Sequence, residues 1–364
     1  MAAWLSSGLA CLGGACIGTY PIFVKTAPVL AAQVHPLVFQ SYKTLCTALL
    51  GALLLSARLL GGASPLFVFS PWAVCSAAAW IPVGLTTISS VPRIGVGAAM
   101  LVLAGSTSLI SFAISVAFFH EPLKARVTPG GTVYYLAPVY LATTLGGMAG
   151  LVLLPRLFSA PKRGAQLLAA PLLAPPPPPA ALSLSLMPPP ADARSTAGGQ
   201  LLGYALSVCG GVFQSLQYAL VSYAKTQPPP QGDLHAEAYD PLGSWTASFG
   251  LGALAVTAVF GGLLLLGGRW SGTPPPQLQM EVVFFPGMAA GVLYALGLLT
   301  STLAVCIGGG GVVMAQKSAS ALLVSGAWGI LWFREIEGRA ALAWCAAAVV
   351  TMASVVLLGF EKGP

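Results

Sequence analysis

Lys43 and Lys317 each stand inside an apolar run long enough to cross a membrane. An intramembrane charge costs about 2.5 kcal/mol or more and is a functional hypothesis by default. Counting from the predicted helix starts, Lys317 lies about 12 Å and Lys43 about 10 Å into a hydrocarbon core about 30 Å thick. Polar residues gather around both. Gln40 and Tyr42 flank Lys43, and Lys317 and Ser320 are neighbours at i,i+3, with Gln316 and Ser320 sharing a face at i,i+4. In another run, Ser108, Ser111 and Ser115 form a stripe at i,i+3,i+7. Amides, hydroxyls and ammonium groups in one place suit a polyhydroxy solute, and Trp80 and Tyr294 offer flat rings on which a sugar or base stacks. No Asp or Glu lies well inside a predicted helix, so the two cations need an anion from a cargo, or water in an open cavity. The competing readings are structural. Lysines snorkel to the headgroups, serines bond the preceding turn or join helices, and aromatic side chains pack or face lipid.

Other chemistries lack their residues. There is no Gly-x-x-x-x-Gly-Lys-Ser/Thr for an ATP motor, no His-Glu-x-x-His, no nucleophile elbow and no intramembrane carboxylate pair. The seven cysteines sit singly in apolar runs, with no Cys-x-x-Cys and no neighbouring His. The sequence therefore reads as a non-enzyme without metal or cofactor. Its net charge of +7 is spread singly between apolar runs, which places it in loops beside lipid rather than on nucleic acid.

Composition sets the solvent. Hydrophobic residues are 56% and charged residues 7% of the 364, against roughly a quarter charged in a soluble domain. The apolar runs do not alternate as barrel strands do. The expectation is an all-α integral membrane protein with ten transmembrane helices, near 4–24, 36–55, 72–88, 94–119, 132–154, 201–224, 242–266, 282–304, 309–333 and 340–358. Gly14-x-x-x-Gly18 and Gly146-x-x-x-Gly150 are small-residue faces for close packing. The glycines at 308–311 open a helix whose free N–H groups suit either an anion or a tight connecting turn.

The run 109–124 recurs at 323–338. Both copies end on an aromatic residue and a glutamate two positions later, Phe119-His120-Glu121 and Phe333-Arg334-Glu335. At the same offset Ser111 meets Ser325, Ser106 meets Ser320, Met100 meets Met314 and Gly97 meets Gly311, while Trp80 meets Tyr294. This reads as a duplicated unit: residues 1–155, a proline-rich disordered linker 156–198, and residues 199–364. Five helices cross an odd number of times, so the second copy is inverted, as in secondary transporters with a midplane site. On this reading Glu121 and Glu335 anchor helix ends or gate the two openings.

The segments Gly18-Thr-Tyr-Pro-Ile-Phe-Val-Lys25-Thr and His35-Pro-Leu-Val-Phe-Gln-Ser-Tyr-Lys43-Thr, with the two aromatic-x-Glu endings, resemble the transmembrane protein 144 family of the drug/metabolite transporter superfamily, related to glucose/ribose porters. The resemblance covers nearly all ten helices and omits the linker. It implies alternating access and a sugar, sugar derivative or ureide-like metabolite as cargo, in a lipid membrane and as a monomer or homodimer. Lys317 and the proline tract depart from the pattern, leaving open whether the cargo is neutral or anionic. The resemblance implies cytosolic termini, whereas the count of basic residues by loop places the linker inside. The alternative is a non-transporting scaffold or receptor that acts through the proline-rich loop.

Overall fold

The computed structural model describes residues 2–24, 26, 28, 29, 32, 34–94, 96–158, 197–227, 238–271, 276–333 and 337–361. Most of the linker lies outside them, as do Lys25 and Glu335. Among the described residues there are ten helices of 18 residues or more: α1 Ala2–Thr19, α2 Pro36–Leu60, α3 Pro71–Ile94, α4 Val96–Ala117, α5 Ala137–Phe158, α6 Ala197–Thr226, α7 Ser244–Ser271, α8 Met280–Gly308, α9 Gly310–Leu331 and α10 Arg339–Phe360. Eight are long and apolar enough to cross a membrane. The protein is an all-α, multi-pass membrane protein. The other two, α6 and α9, are diluted by polar residues that the fold turns inward: Gln214, Ser215 and Gln217 on α6, and Gln316, Lys317 and Ser318 on α9, are all buried.

Helix boundaries follow local chemistry. Leu37 N–H donates to Nδ1 of His35 (3.2 Å), and Pro36 occupies the first turn of α2. Glycine 309, at φ +74°, separates α8 from α9. Helix α5 was expected from 132 but starts at Ala137. Ahead of it, β1 Ala125–Val127 pairs antiparallel with β2 Val133–Tyr135, with Ala125 opposite Tyr135. Pro129-Gly130-Gly131 supplies the turn, and Val-Tyr-Tyr prefers the strand. Arg126 of this hairpin holds the buried carboxylate of Glu361 at 2.5 Å, and Lys124 N–H donates to the Glu361 carbonyl at 3.0 Å.

Each helix has specific neighbours. Helix α1 packs on α8 and α9, and α6 packs on α3 and α4. Helix α2 packs on α7 and α8, α7 on α2 and α3, α4 on α9, and α5 on α10. Glycines permit the closest approaches. A Cβ on Gly14 of α1 would lie 2.7 Å from the Ser320 Cβ of α9, and one on Gly211 of α6 would lie 2.9 Å from the Ser106 Cβ of α4. Of the second small-residue face, a Cβ on Gly150 would lie 3.2 Å from the Ala347 Cβ, but one on Gly146 would meet nothing within 4 Å, and the adjacent Gly147 packs on Thr351 instead.

Candidate functional site

Helix α2 carries Lys43 into the protein, where it is only 2% exposed. Its Nζ lies 4.4 Å from the ring centre of Tyr294 on α8, 5.2 Å from that of Tyr20 and 5.8 Å from that of Trp80 on α3. The rings form one assembly. Trp80 Nε1 donates to the Tyr294 hydroxyl at 2.8 Å, and Tyr20 meets Tyr294 edge to face at 5.3 Å. A desolvated cation over an aromatic face gains about 2 kcal/mol, whereas burying an ammonium costs several kcal/mol. The rings offset part of that cost.

Lys317 comes from α9 to the same interior and is also 2% exposed. Its Nζ donates to the Tyr218 hydroxyl of α6 at 3.1 Å and lies 4.4 Å from the centre of that ring. Tyr218, Trp80 and Tyr294 belong to one contiguous buried cluster, completed by Trp245 and Phe249 of α7. Neither lysine has a carboxylate partner among the described residues. Gln40, one helical turn before Lys43, is fully buried with both amide atoms unpartnered, and its carbon Cδ would lie 2.9 Å from a Cβ on Gly84, one turn beyond Trp80.

Other sequence candidates lie elsewhere. Tyr42 turns away from Lys43, its hydroxyl 3.5 Å from the Leu278 carbonyl and its ring against Phe284. Ser108 bonds the Ala104 carbonyl of its own helix at 2.8 Å, and Ser320 bonds the Cys11 carbonyl of α1 at 2.8 Å. Both hydroxyls make helix contacts and neither reaches the lysines. Gln316 points the other way from Lys317 and donates from Nε2 to the Val355 carbonyl of α10 at 3.2 Å. Ser111 and Ser115 face a void of about 10 Å³ shared with Ser215, Ser222 and Tyr218, about the room one water needs. The Ser111 hydroxyl is buried there without a protein partner.

Glu121 meets the glycine opening of α9. Its Oε1 accepts from Gly310 N–H at 2.7 Å and its Oε2 from Gly311 N–H at 3.2 Å. The turn and the anion are thus one feature, since the chain's own carboxylate sits on the positive end of the helix. A Cβ on Gly309 would lie 2.6 Å from Glu121 Oε2. Tyr20 and Tyr218 escaped the sequence reading. The signal for Tyr218 was its place one turn after Gln214 and next to Gln217, amides that a membrane helix turns away from lipid.

No family model matches the chain, and no curated protein matches it. Among solved structures it is similar to a crystal structure identified only as that of a protein, with a TM-score of 0.57 over 98% of each chain at 15% identity. This likeness speaks to the fold alone.

Proposed function

We propose that the protein is a secondary-active or facilitative carrier, of the drug/metabolite transporter type, that moves a carbohydrate or related polar metabolite by alternating access. The observation that carries this reading is the buried centre: two lysines without a carboxylate partner among the described residues, set among hydrogen-bonded aromatic side chains that both halves of the chain contribute. Lys43, Gln40, Trp80 and Tyr294 hold the cargo together with Lys317 and two added residues, Tyr20 and Tyr218. Hydroxyls of a sugar would replace the acceptors that Gln40 and the ammonium groups lack, and its ring faces would stack on Trp80 or Tyr294. Glu121 serves one end as an anchor of α9.

Ten membrane-crossing helices in two inverted five-helix repeats form part of the proposal. The packing supports it. Helix α1 meets α8 and α9 as α6 meets α3 and α4, and α2 meets α7 and α8 as α7 meets α2 and α3. Gly14 against Ser320 has its counterpart in Gly211 against Ser106, and those two serines are the pair matched by the sequence repeat. Trp80 and Tyr294, another matched pair, bond to each other, as repeat equivalents do on a two-fold axis.

The test is uptake into proteoliposomes of radiolabelled neutral sugars, sugar phosphates and ureides. Saturable uptake of at least one class is expected, and Lys43→Met and Lys317→Met should each lower it at least about tenfold, a loss of about 1.4 kcal/mol. Full uptake in both variants would remove the site assignment and keep the carrier. Absence of saturable uptake across the panel would remove the carrier reading.

A further inference from the structure

A second cavity, of about 780 Å³, lies between α1 and α10 with α9 as its floor. Its volume is within the range of small-molecule sites, about 300–1,000 Å³. It extends from Glu121 and Gly309 down to Gln316, seven residues along α9 or about 10 Å. Lys43, Lys317, Trp80 and Tyr294 do not line it, so it is separate from the proposed cargo centre.

The mouth faces lipid. Trp4 is 62% and Phe360 48% exposed, and the two rings meet edge to face with centres 4.9 Å apart. Exposed aromatic side chains at helix ends mark the headgroup level of a membrane protein. Apolar residues such as Val356 make up most of the wall, so the occupant has an apolar body. Its polar end follows from what the wall offers. Gln316 is 1% exposed, its Nε2 is spent on the Val355 carbonyl, and its Oε1 is buried without a partner. That carbonyl fixes the amide orientation, because the flipped amide would set two acceptors against each other. Glu121 adds a carboxylate, the Ser7 hydroxyl and the Cys11 thiol can each donate or accept, and the Trp4 indole N–H at the mouth donates. Among these groups Gln316 Oε1 is the acceptor left unpaired, and it calls for a donor.

We infer that this cavity binds a single-chain lipid with a hydroxyl-bearing head. The lipid enters from the bilayer between α1 and α10, places its chain along the apolar wall and donates a hydroxyl to Gln316 Oε1. An unpaired buried acceptor is costly, and the donor removes that cost.

Gly8 provides the test. It lines the cavity, and a Cβ there would have no heavy atom within 4 Å, so Gly8→Leu sets a larger side chain into open space at the cavity wall and improves helix propensity. Val356→Trp blocks the opposite wall independently. Thermal unfolding of the full-length protein in detergent is measured with monoolein and with methyl oleate, which has the same chain and no hydroxyl. Monoolein should raise the midpoint by about 2–4 °C near saturation, methyl oleate should not, and both variants should unfold cooperatively without the monoolein shift. An equal shift from methyl oleate, a full monoolein shift in either variant, or no monoolein shift in the parent protein would overturn the inference.

Discussion

His35 is the residue where acid should be felt first. Its Nδ1 accepts the Leu37 N–H, a bond available only to the unprotonated nitrogen, and its half-buried position lowers its pKa from 6.5. The unfolded chain therefore takes up the proton first as pH falls. The stability that neutral His35 contributes is fully present above pH 6.5 and is lost as pH drops through the lower folded value. Asn caps a helix by the same geometry without titrating in this range. Unfolding midpoints between pH 7 and pH 5 should thus fall less steeply for His35→Asn than for the parent, and equal slopes would assign the acid sensitivity to another group. Glu121 obeys the related rule at α9, where a carboxylate rather than an imidazole meets the free N–H groups. The two residues differ in legibility. His35 before Pro36 is visible as a cap in the sequence, whereas Glu121 reaches Gly310 across 189 positions.

At the scale of elements, the small-residue faces separate what sequence can say from what only packing decides. Gly14-x-x-x-Gly18 and Gly146-x-x-x-Gly150 are the same motif on paper. In the fold Gly14 and Gly18 lie against α9, whereas a Cβ on Gly146 would enter open space. Gly14→Leu and Gly211→Leu should each destabilise by about 3 kcal/mol, the upper range for overpacking a tight contact, and Gly146→Leu should leave stability within about 0.5 kcal/mol. Thermostability by fluorescence-detected size exclusion reads all three, and a stable Gly14→Leu would mean that α1 does not seat on α9 as described. The same distinction explains the site. Apolar length made the spans readable, and the 214-residue offset paired Trp80 with Tyr294 and Ser106 with Ser320. Which way a side chain turns depends on neighbours distant in sequence, so of two residues adjacent in the chain Gln316 lines the cavity beside α10 while Lys317 turns to Tyr218 of α6. The hairpin at 125–135 was not legible, because strands of three residues are too short to show a period.

For the whole molecule, chain ends and loops divide into two groups by their contacts. Arg58 at the end of α2 bonds Asp240 before α7 at 2.6 Å, Glu121 after α4 caps α9, Arg126 pairs with Glu361 after α10, and Trp4 of α1 meets Phe360 of α10. At the other end, Gln279 before α8 donates to the carbonyl of Ala32, between α1 and α2, at 3.0 Å. Ten crossings in alternation place all of the first group on one membrane face and the second on the opposite one. Eight crossings, with α6 and α9 not spanning, would interrupt that alternation: α7 and α8 would reverse relative to α1–α5, and Arg58 could not reach Asp240. Two exposed positions test this directly. Gly130 lies in the hairpin after α4, and Gln277 lies between α7 and α8. In a background with the seven native cysteines replaced, a membrane-impermeant maleimide should label Gly130→Cys and Gln277→Cys from opposite sides of sealed vesicles. Labelling of both from one side would rule out ten alternating crossings, and with them the inverted pairing that places Lys43 and Lys317 between two halves.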